Sequence, residues 1–273
     1  MRKETDYMDR LMQPDGLIDD LPLWALFAAT VVIVLLSIEG GFRLGRRRVR
    51  ETESEKESSV GQMVGASLGL LAFLLAFTFG LAASRFEARR QVFLDEVNSI
   101  GTTFLRAGLL PEPDRTDTRK RLRDYVDIRL EGLHSENVKE AIRRSEELQA
   151  ALWATAAALG EKQPMSIAIG LYIQSLNELI NAHTKRVAAE LRSRIPKVIW
   201  IALYAITVLA MAELGYHSGL AGKRRPLAIP AVALAFAAVM LLIADLDRPR
   251  EGFIQVNEQA MGELRKMMEK PQP

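Results

Sequence analysis

The stretch Val60–Ser84, VGQMVGASLGLLAFLLAFTFGLAAS, leaves this chain few folds to choose from. Its 25 residues carry no charge. At about 1.5 Å per residue, a helix of that length crosses a hydrocarbon layer about 30 Å thick. A helix that is apolar on every face for so long belongs in lipid. Gly61, Gly65 and Gly69 recur every fourth residue and form one ridge, and Ala72, Ala76, Gly80 and Ser84 form another. Small residues at that period let helix backbones approach closely in a membrane, so Gly61, Gly65 and Gly69 are predicted to be a helix-packing ridge. Phe73, Phe77 and Leu81 follow at the same spacing on a third line.

Three more apolar runs follow the same logic. Leu21–Ile38 is opened by Pro22 and Trp24 and closed by Glu39, and FRLGRRRVR follows it in place of a small-residue cleavage site. A retained first span is expected, with Trp24 at interfacial depth. Val198–Tyr216 and Pro226–Ala244 complete a set of four. Between the second and third spans the pattern turns amphipathic. RFEARRQVFLDEVNSIGTTFLRAG places Phe93, Val97, Ile100 and Phe104 at helical spacing, so the second span runs on as one long helix until LLPEPDR stops it. Helices are expected over about 116–133, 136–159 (after a Ser135 cap) and 165–195. The predicted fold is all-α: an integral membrane protein with four transmembrane helices and an extramembrane helical bundle inserted between the second and third. The expected divisions are a flexible tail at 1–20, spans one and two at 21–84 and the four-helix region at 85–195. Spans three and four then occupy 196–246, and a tail with an amphipathic helix occupies 247–273.

The spans also repeat. Glu39-Gly40-Gly41-Phe42-Arg43-Leu44-Gly45 and Glu213-Leu214-Gly215-Tyr216-His217-Ser218-Gly219 both read E-x-G-aromatic-x-x-G, and each leads into a basic cluster, Arg46–Arg48 or Lys223–Arg225. Two helix pairs related by an axis along the membrane normal are one explanation. Convergent wording at the ends of two spans is the other. An even number of spans puts both termini and the bundle on one side. The short loops hold Arg43, Arg46, Arg47, Arg48, Arg50, Lys56, Lys223, Arg224 and Arg225, which the positive-inside rule assigns to the cytoplasm and the bundle to the outside. Arg85, Arg89, Arg90, Arg192, Arg194 and Lys197 pull the other way.

Chemistry is sparse. The chain of 273 residues has no cysteine and three histidines, so thiolate catalysis and cysteine-held metals are excluded. There is no nucleophile elbow, phosphate loop or dinucleotide fingerprint, and neither an enzyme nor a cofactor is expected. The arginines flank spans and are not interleaved with stacking aromatics, which gives no case for nucleic acid. Glu39, Arg85, Glu213, Asp245, Asp247 and Arg248 are expected at membrane-interface depth, with an Arg–Asp pair relieving the cost of charge there. Asn98, Thr102 and Arg106 form a polar line on the long helix that Asn177 and His183 are expected to face, as a buried hydrogen-bonded network. Rings at Phe73 and Phe77, with Leu81, can form a hydrophobic constriction if several subunits surround an axis. Packing against lipid or neighbouring helices is the plainer alternative.

The segments LGLLAFLLAFTFGLAASRFEARRQVFLDEVNSIGTTFLRA, QSLNELINAHTKRVA and IADLDRPREGF resemble the bacterial bestrophin-like membrane proteins, a domain family of unknown function, over about Trp24 to Phe253. The resemblance implies four spans with a helical insertion between the second and third. Bestrophins are pentameric anion channels with a hydrophobic neck on the second span, which would make Phe73 and Phe77 neck residues. The chain departs from them in having no acidic cluster suited to a calcium clasp and no long C-terminal region. The bestrophin insertion is also cytosolic, where the charge count here puts the bundle outside. The expected protein is a homo-oligomer in the lipid bilayer of a bacterial inner membrane that conducts inorganic anions. The rival is a non-conducting membrane protein whose bundle binds a partner or senses the envelope.

Overall fold

The computed structural model describes residues 21–51, 57–134, 138–192, 194–222, 227–248 and 252–270. The expected tail at 1–20, the Ser135 cap and the Lys223–Arg225 cluster lie outside the described residues. Eight α-helices are formed there: α1 Leu23–Glu51, α2 Glu57–Ala107, α3 Asp114–His134, α4 Val138–Lys162, α5 Ile167–Arg192, α6 Lys197–Leu220, α7 Ala228–Asp247 and α8 Gln259–Glu269. Local signals set their ends. Pro111 and Pro113 follow α2, Pro196 precedes α6, and Gly222, with φ of 67°, takes the left-handed conformation that closes α6. Four helices, α1, α2, α6 and α7, are long and apolar enough to cross a membrane. The chain is a multi-pass membrane protein.

The chain divides into two compact units. The first comprises residues up to Phe86 and Ser193–Gln255. Its core is built from Val34 and Ile38 of α1, Leu71 and Leu75 of α2, Leu203 and Met211 of α6, and Met240 and Ile243 of α7. Its tightest contact is a seam between α1 and α6. A Cβ added at Gly41 would lie 1.9 Å from the Ala212 carbonyl oxygen, and one at Gly45 would lie 2.3 Å from that of Tyr216. Reciprocally, a Cβ at Gly215 would lie 2.0 Å from the Ile38 oxygen, and one at Gly219 would lie 2.4 Å from that of Phe42. These are the glycines of the repeated motif. Its two copies are 174 residues apart (213 − 39), and the Thr30–Tyr204 hydroxyl contact of 2.8 Å joins residues with the same separation. Each copy therefore presents to the other the surface it receives, as in a two-fold interface. α1 also packs broadly along α7.

The second unit comprises Glu87–Arg192 and the residues from Val256 onward. Its interior takes Phe93, Ile100 and Phe104 from α2, Leu122 and Tyr125 from α3, Leu152 and Leu159 from α4, and Tyr172, Leu176 and Leu179 from α5. Met261, Leu264 and Met268 of α8 are buried in the same core. The bundle thus has five helices where the sequence pattern led us to expect four. Met261, Leu264 and Met268 recur at steps of three and four, which gives α8 an apolar stripe along one side. Arg265 of α8 forms a two-pronged ion pair with Asp127 of α3, at 2.5 and 3.1 Å. Arg123 of α3 donates to the Met268 carbonyl at the last turn of α8, where cations are favoured.

Candidate functional site

Along its apolar stretch, α2 has two unlike faces. Val64, Leu71, Leu75, Thr78 and Ala82, at steps of three, four and seven, are buried against the first unit. On the opposite side Phe73 and Phe77 are 66% and 64% exposed, and Gly65, Gly69, Ala72, Ala76, Gly80 and Ser84 are exposed beside them. A Cβ at Gly65 or Gly69 would meet nothing within 4 Å. Gly61 differs: a Cβ there would lie 3.1 Å from His217 Nε2 of α6. Leu81 is half-buried and packs against its own chain's core, so it sits at the edge of the open face and not on it. The expected ridge thus leaves Gly65 and Gly69 unpacked within the protomer, while Gly41, Gly45, Gly215 and Gly219 carry the close approach between helices.

The membrane-interface charges are placed by local geometry. Glu39 pairs with Arg43 one turn on, at 2.8 Å and partly exposed. By the motif's repeat Glu213 and His217 stand at the equivalent positions, and Glu213 Oε2 is buried. Arg85 donates to the Arg194 carbonyl. Asp245 and Asp247 serve mainly as caps for backbone. Asp247 accepts the Ile195 amide at 2.9 and 3.2 Å, just before α6. Asp245 accepts the amides of Phe253 and Ile254 at 2.8 and 3.0 Å. The turn beneath Asp245 requires glycine at 252, where φ is 137° and a Cβ would lie 2.1 Å from the carboxylate. Arg248 donates to the Leu21 carbonyl.

The polar network expected in the bundle is corrected in its membership. Asn98 and Asn177 are exposed, Thr102 is half-buried, and Arg106 donates outward to the Leu171 carbonyl at 2.8 Å. Only His183 of that set is interior. The buried network centres instead on Glu96, fully enclosed between Arg129 at 3.2 Å and Arg186. Tyr125 donates to Glu96 Oε1 at 2.9 Å, and Gln149 donates to the Tyr125 oxygen at 3.2 Å. His183 Nδ1 lies 3.0 Å from that oxygen. Because the phenol's one hydrogen goes to Glu96, His183 Nδ1 must be the donor to that oxygen, and His183 Nε2 is buried with no hydrogen-bond partner among the described residues. Burial works against the charge of Arg186, but Glu96 and Glu190 outweigh it and hold its pKa above the ordinary guanidinium range. Burial, reinforced by the Glu96 carboxylate, pushes the Tyr125 phenol well above its usual value. The signal missed in the sequence was one of phase. Glu96, Ile100 and Thr103 share the inner side of α2, whereas Asn98 and Thr102 are turned away from the mean direction of those three by roughly 130° to 170° on a helix of about 3.6 residues per turn. Among the described residues no three His, Cys, Asp or Glu side chains converge as metal ligands.

A family model for the bestrophin-like domain matches residues 24–261. The chain belongs to the bestrophin-like family. No curated protein sequence matches this bestrophin-like chain significantly. Among solved structures, it is similar to a bacterial bestrophin homologue from Klebsiella pneumoniae at a TM-score of 0.62 and 13% identity, covering 89% of this chain and 96% of that one. A point mutant of the Klebsiella homologue gives a TM-score of 0.63 at 14% identity, with 90% and 97% covered. A structure described as a membrane protein gives 0.64 at 13% identity, with 90% and 97% covered. At such identities the likeness establishes the bestrophin fold and nothing finer.

Proposed function

We propose that this bestrophin-like chain is one subunit of an oligomeric anion channel in a bacterial inner membrane, whose hydrophobic constriction is formed by Phe73 and Phe77. One observation carries the reading: a membrane-length helix buries one face and leaves the other, with two phenylalanine rings beside an unpacked small-residue ridge, 64–66% exposed at the rings. In a ring of subunits the small residues Gly65, Gly69, Ala72, Ala76 and Gly80 would admit a neighbouring helix, and the rings would close on the axis. Apolar rings narrow enough to dewet gate ions without binding them. Leu81 contributes at the margin only. The basic residues of the short loops support an extracytoplasmic side for the five-helix bundle, and fusion reporters at residue 160 and at the C-terminus test that side.

The experiment is anion flux into proteoliposomes, comparing wild type with Phe77→Ala, together with the mass of the solubilised particle. An oligomer with raised flux in the variant supports the reading. A monomer, or background flux in both, sinks it. In that event the second reading gains, a non-conducting protein whose bundle binds a partner. What favours it is a group of exposed apolar residues, Leu105 in the last turn of α2 and Leu109 just beyond it, with Met165 just before α5 and Ile167 at its first position. Arg106 ties those two regions together through the Leu171 carbonyl.

A further inference from the structure

Within the second unit, Arg115, Arg119 and Arg123 stand at i, i+4 and i+8 on one face of α3, three guanidinium groups on successive turns. The outer two have an evident structural use. Arg115 Nε donates to the Leu110 carbonyl at 3.0 Å, beyond the end of α2, and faces Glu112 at 3.5 Å. Arg123 Nε donates to the Met268 carbonyl at 3.1 Å. Cations at helix C-termini are ordinary, and that accounts for both residues. It does not account for Arg119. Its guanidinium lies over the Phe104 ring at 5.1 Å, with that of Arg123 also over the ring at 5.6 Å. A Cβ on Gly108 would come within 2.3 Å of Arg119 Nη2, so the group fills a notch that only glycine leaves open. There Arg119 has no hydrogen-bond or ion-pair partner among the described residues, and its Nε is buried without one. Burial, and then the charges of Arg115 and Arg123, lower its pKa, while Glu112 offsets only part of the repulsion.

An unpaired cation held in place between two like charges is costly in the free protein, and an arrangement of that kind marks a site built for something else. We propose that Arg115, Arg119 and Arg123 bind a phosphate-type oxyanion, with Arg119 as the central ligand. The chemistry is that of the guanidinium fork, which offers paired N–H donors to two oxygens of one phosphoryl group. Arg115 and Arg123 use Nε for the helix ends, which leaves their Nη groups for the anion. The partial exposure of all three side chains gives the anion a way in. The source can be a soluble phosphorylated compound or a lipid headgroup. The proposal does not depend on the channel reading.

The test uses the full-length protein in zwitterionic-lipid nanodiscs, with pyrophosphate as probe and sodium chloride at matched ionic strength as control. Wild type should show saturable thermal stabilisation by pyrophosphate that chloride does not reproduce. Arg119→Gln should weaken apparent affinity by about 10- to 100-fold, the usual consequence of losing hydrogen bonds to a charged group. Without pyrophosphate its melting temperature should be unchanged or higher than wild type, because repulsion is relieved. A purely structural arginine would instead lower it. Gly108→Ala displaces the guanidinium while keeping its charge, and should weaken binding too. Arg143→Gln, at an exposed arginine paired with Glu140 and Glu147, should bind as wild type does. A smaller pyrophosphate response in discs containing anionic phospholipid identifies a headgroup as the occupant, and an equal response identifies a soluble one. No response in the wild type, an equal response to chloride, or undiminished binding in both Arg119→Gln and Gly108→Ala overturns the proposal.

Discussion

Gly40 and Gly41 are adjacent in sequence and opposite in circumstance, which makes them a controlled experiment on the α1–α6 seam. A Cβ at Gly41 would lie 1.9 Å from the Ala212 oxygen, 2.7 Å from its carbonyl carbon and 3.0 Å from its Cα. A Cβ at Gly40 meets nothing within 4 Å. Ordinary contact begins at 3.4 Å, so Gly41→Ala must open the seam locally by about 1.5 Å (3.4 − 1.9). The obstacle is backbone and no rotamer relieves it. A gap of about 0.5–1 Å already forfeits a quarter to a half of a dispersion contact, so opening of this size uncouples the two turns around residue 41. Overpacking of this kind costs about 1–3 kcal/mol, and the rigid obstacle puts Gly41→Ala near the upper end. Both variants gain the same helix propensity, about 1 kcal/mol for Gly→Ala, so the difference between them isolates packing. Gly41→Ala should be less stable than Gly40→Ala by about 2–3 kcal/mol. Unfolding in mixed micelles by added SDS, followed by the fluorescence of Trp200, a residue of the same core, measures it. Equal midpoints, within about 0.5 kcal/mol, would refute the claim that this seam holds the first unit together.

Further outcomes concern the bundle. Glu96→Gln leaves Arg129 and Arg186 buried without their carboxylate and should destabilise the unit by about 3–5 kcal/mol, read as loss of hydrogen-exchange protection in α2, α3 and α5. Leu264→Ala should cost about 2–4 kcal/mol and release α8 to protease, since Leu264 is 8% exposed in the shared core; if α8 were a loose tail the variant would be silent. Burial raises the pKa of the Tyr172 phenol to about 12 from its ordinary 10. An acid whose folded-state pKa lies above its unfolded value contributes stability that is complete below pH 10 and lost as pH rises towards 12. Tyr172→Phe should therefore shift the alkaline unfolding limb to higher pH, and an unshifted limb would assign it to other groups.

Much of the architecture was legible in the residues because it depends on local quantities. Span length and apolarity fix four membrane helices, and the uninterrupted periodicity after Arg85 fixes the long α2, which the structure carries from Glu57 to Ala107. The repeat around Glu39 and Glu213 was legible too, although its meaning was not: the two copies are each other's packing surface. Partnership between distant faces was decided only in three dimensions. Periodicity reports which residues share a side of a helix, not which side of another helix it will meet. For that reason the spacing of Gly61, Gly65 and Gly69 marks a ridge without saying what meets it, and only the structure shows that Gly41, Gly45, Gly215 and Gly219 seal a seam within the chain while Gly65 and Gly69 meet nothing there. For the same reason Glu96 could not be matched in advance to Tyr125 of α3, Gln149 of α4, or His183 and Arg186 of α5, and α8 could not be assigned to a core whose other helices precede it by more than sixty residues. The sequence by itself determined which segments enter lipid and which surfaces are greasy. The tertiary structure decided which surfaces are used up inside one protomer, and so which of them, the Phe73–Phe77 face and the arginine row of α3, are left over for something else to meet.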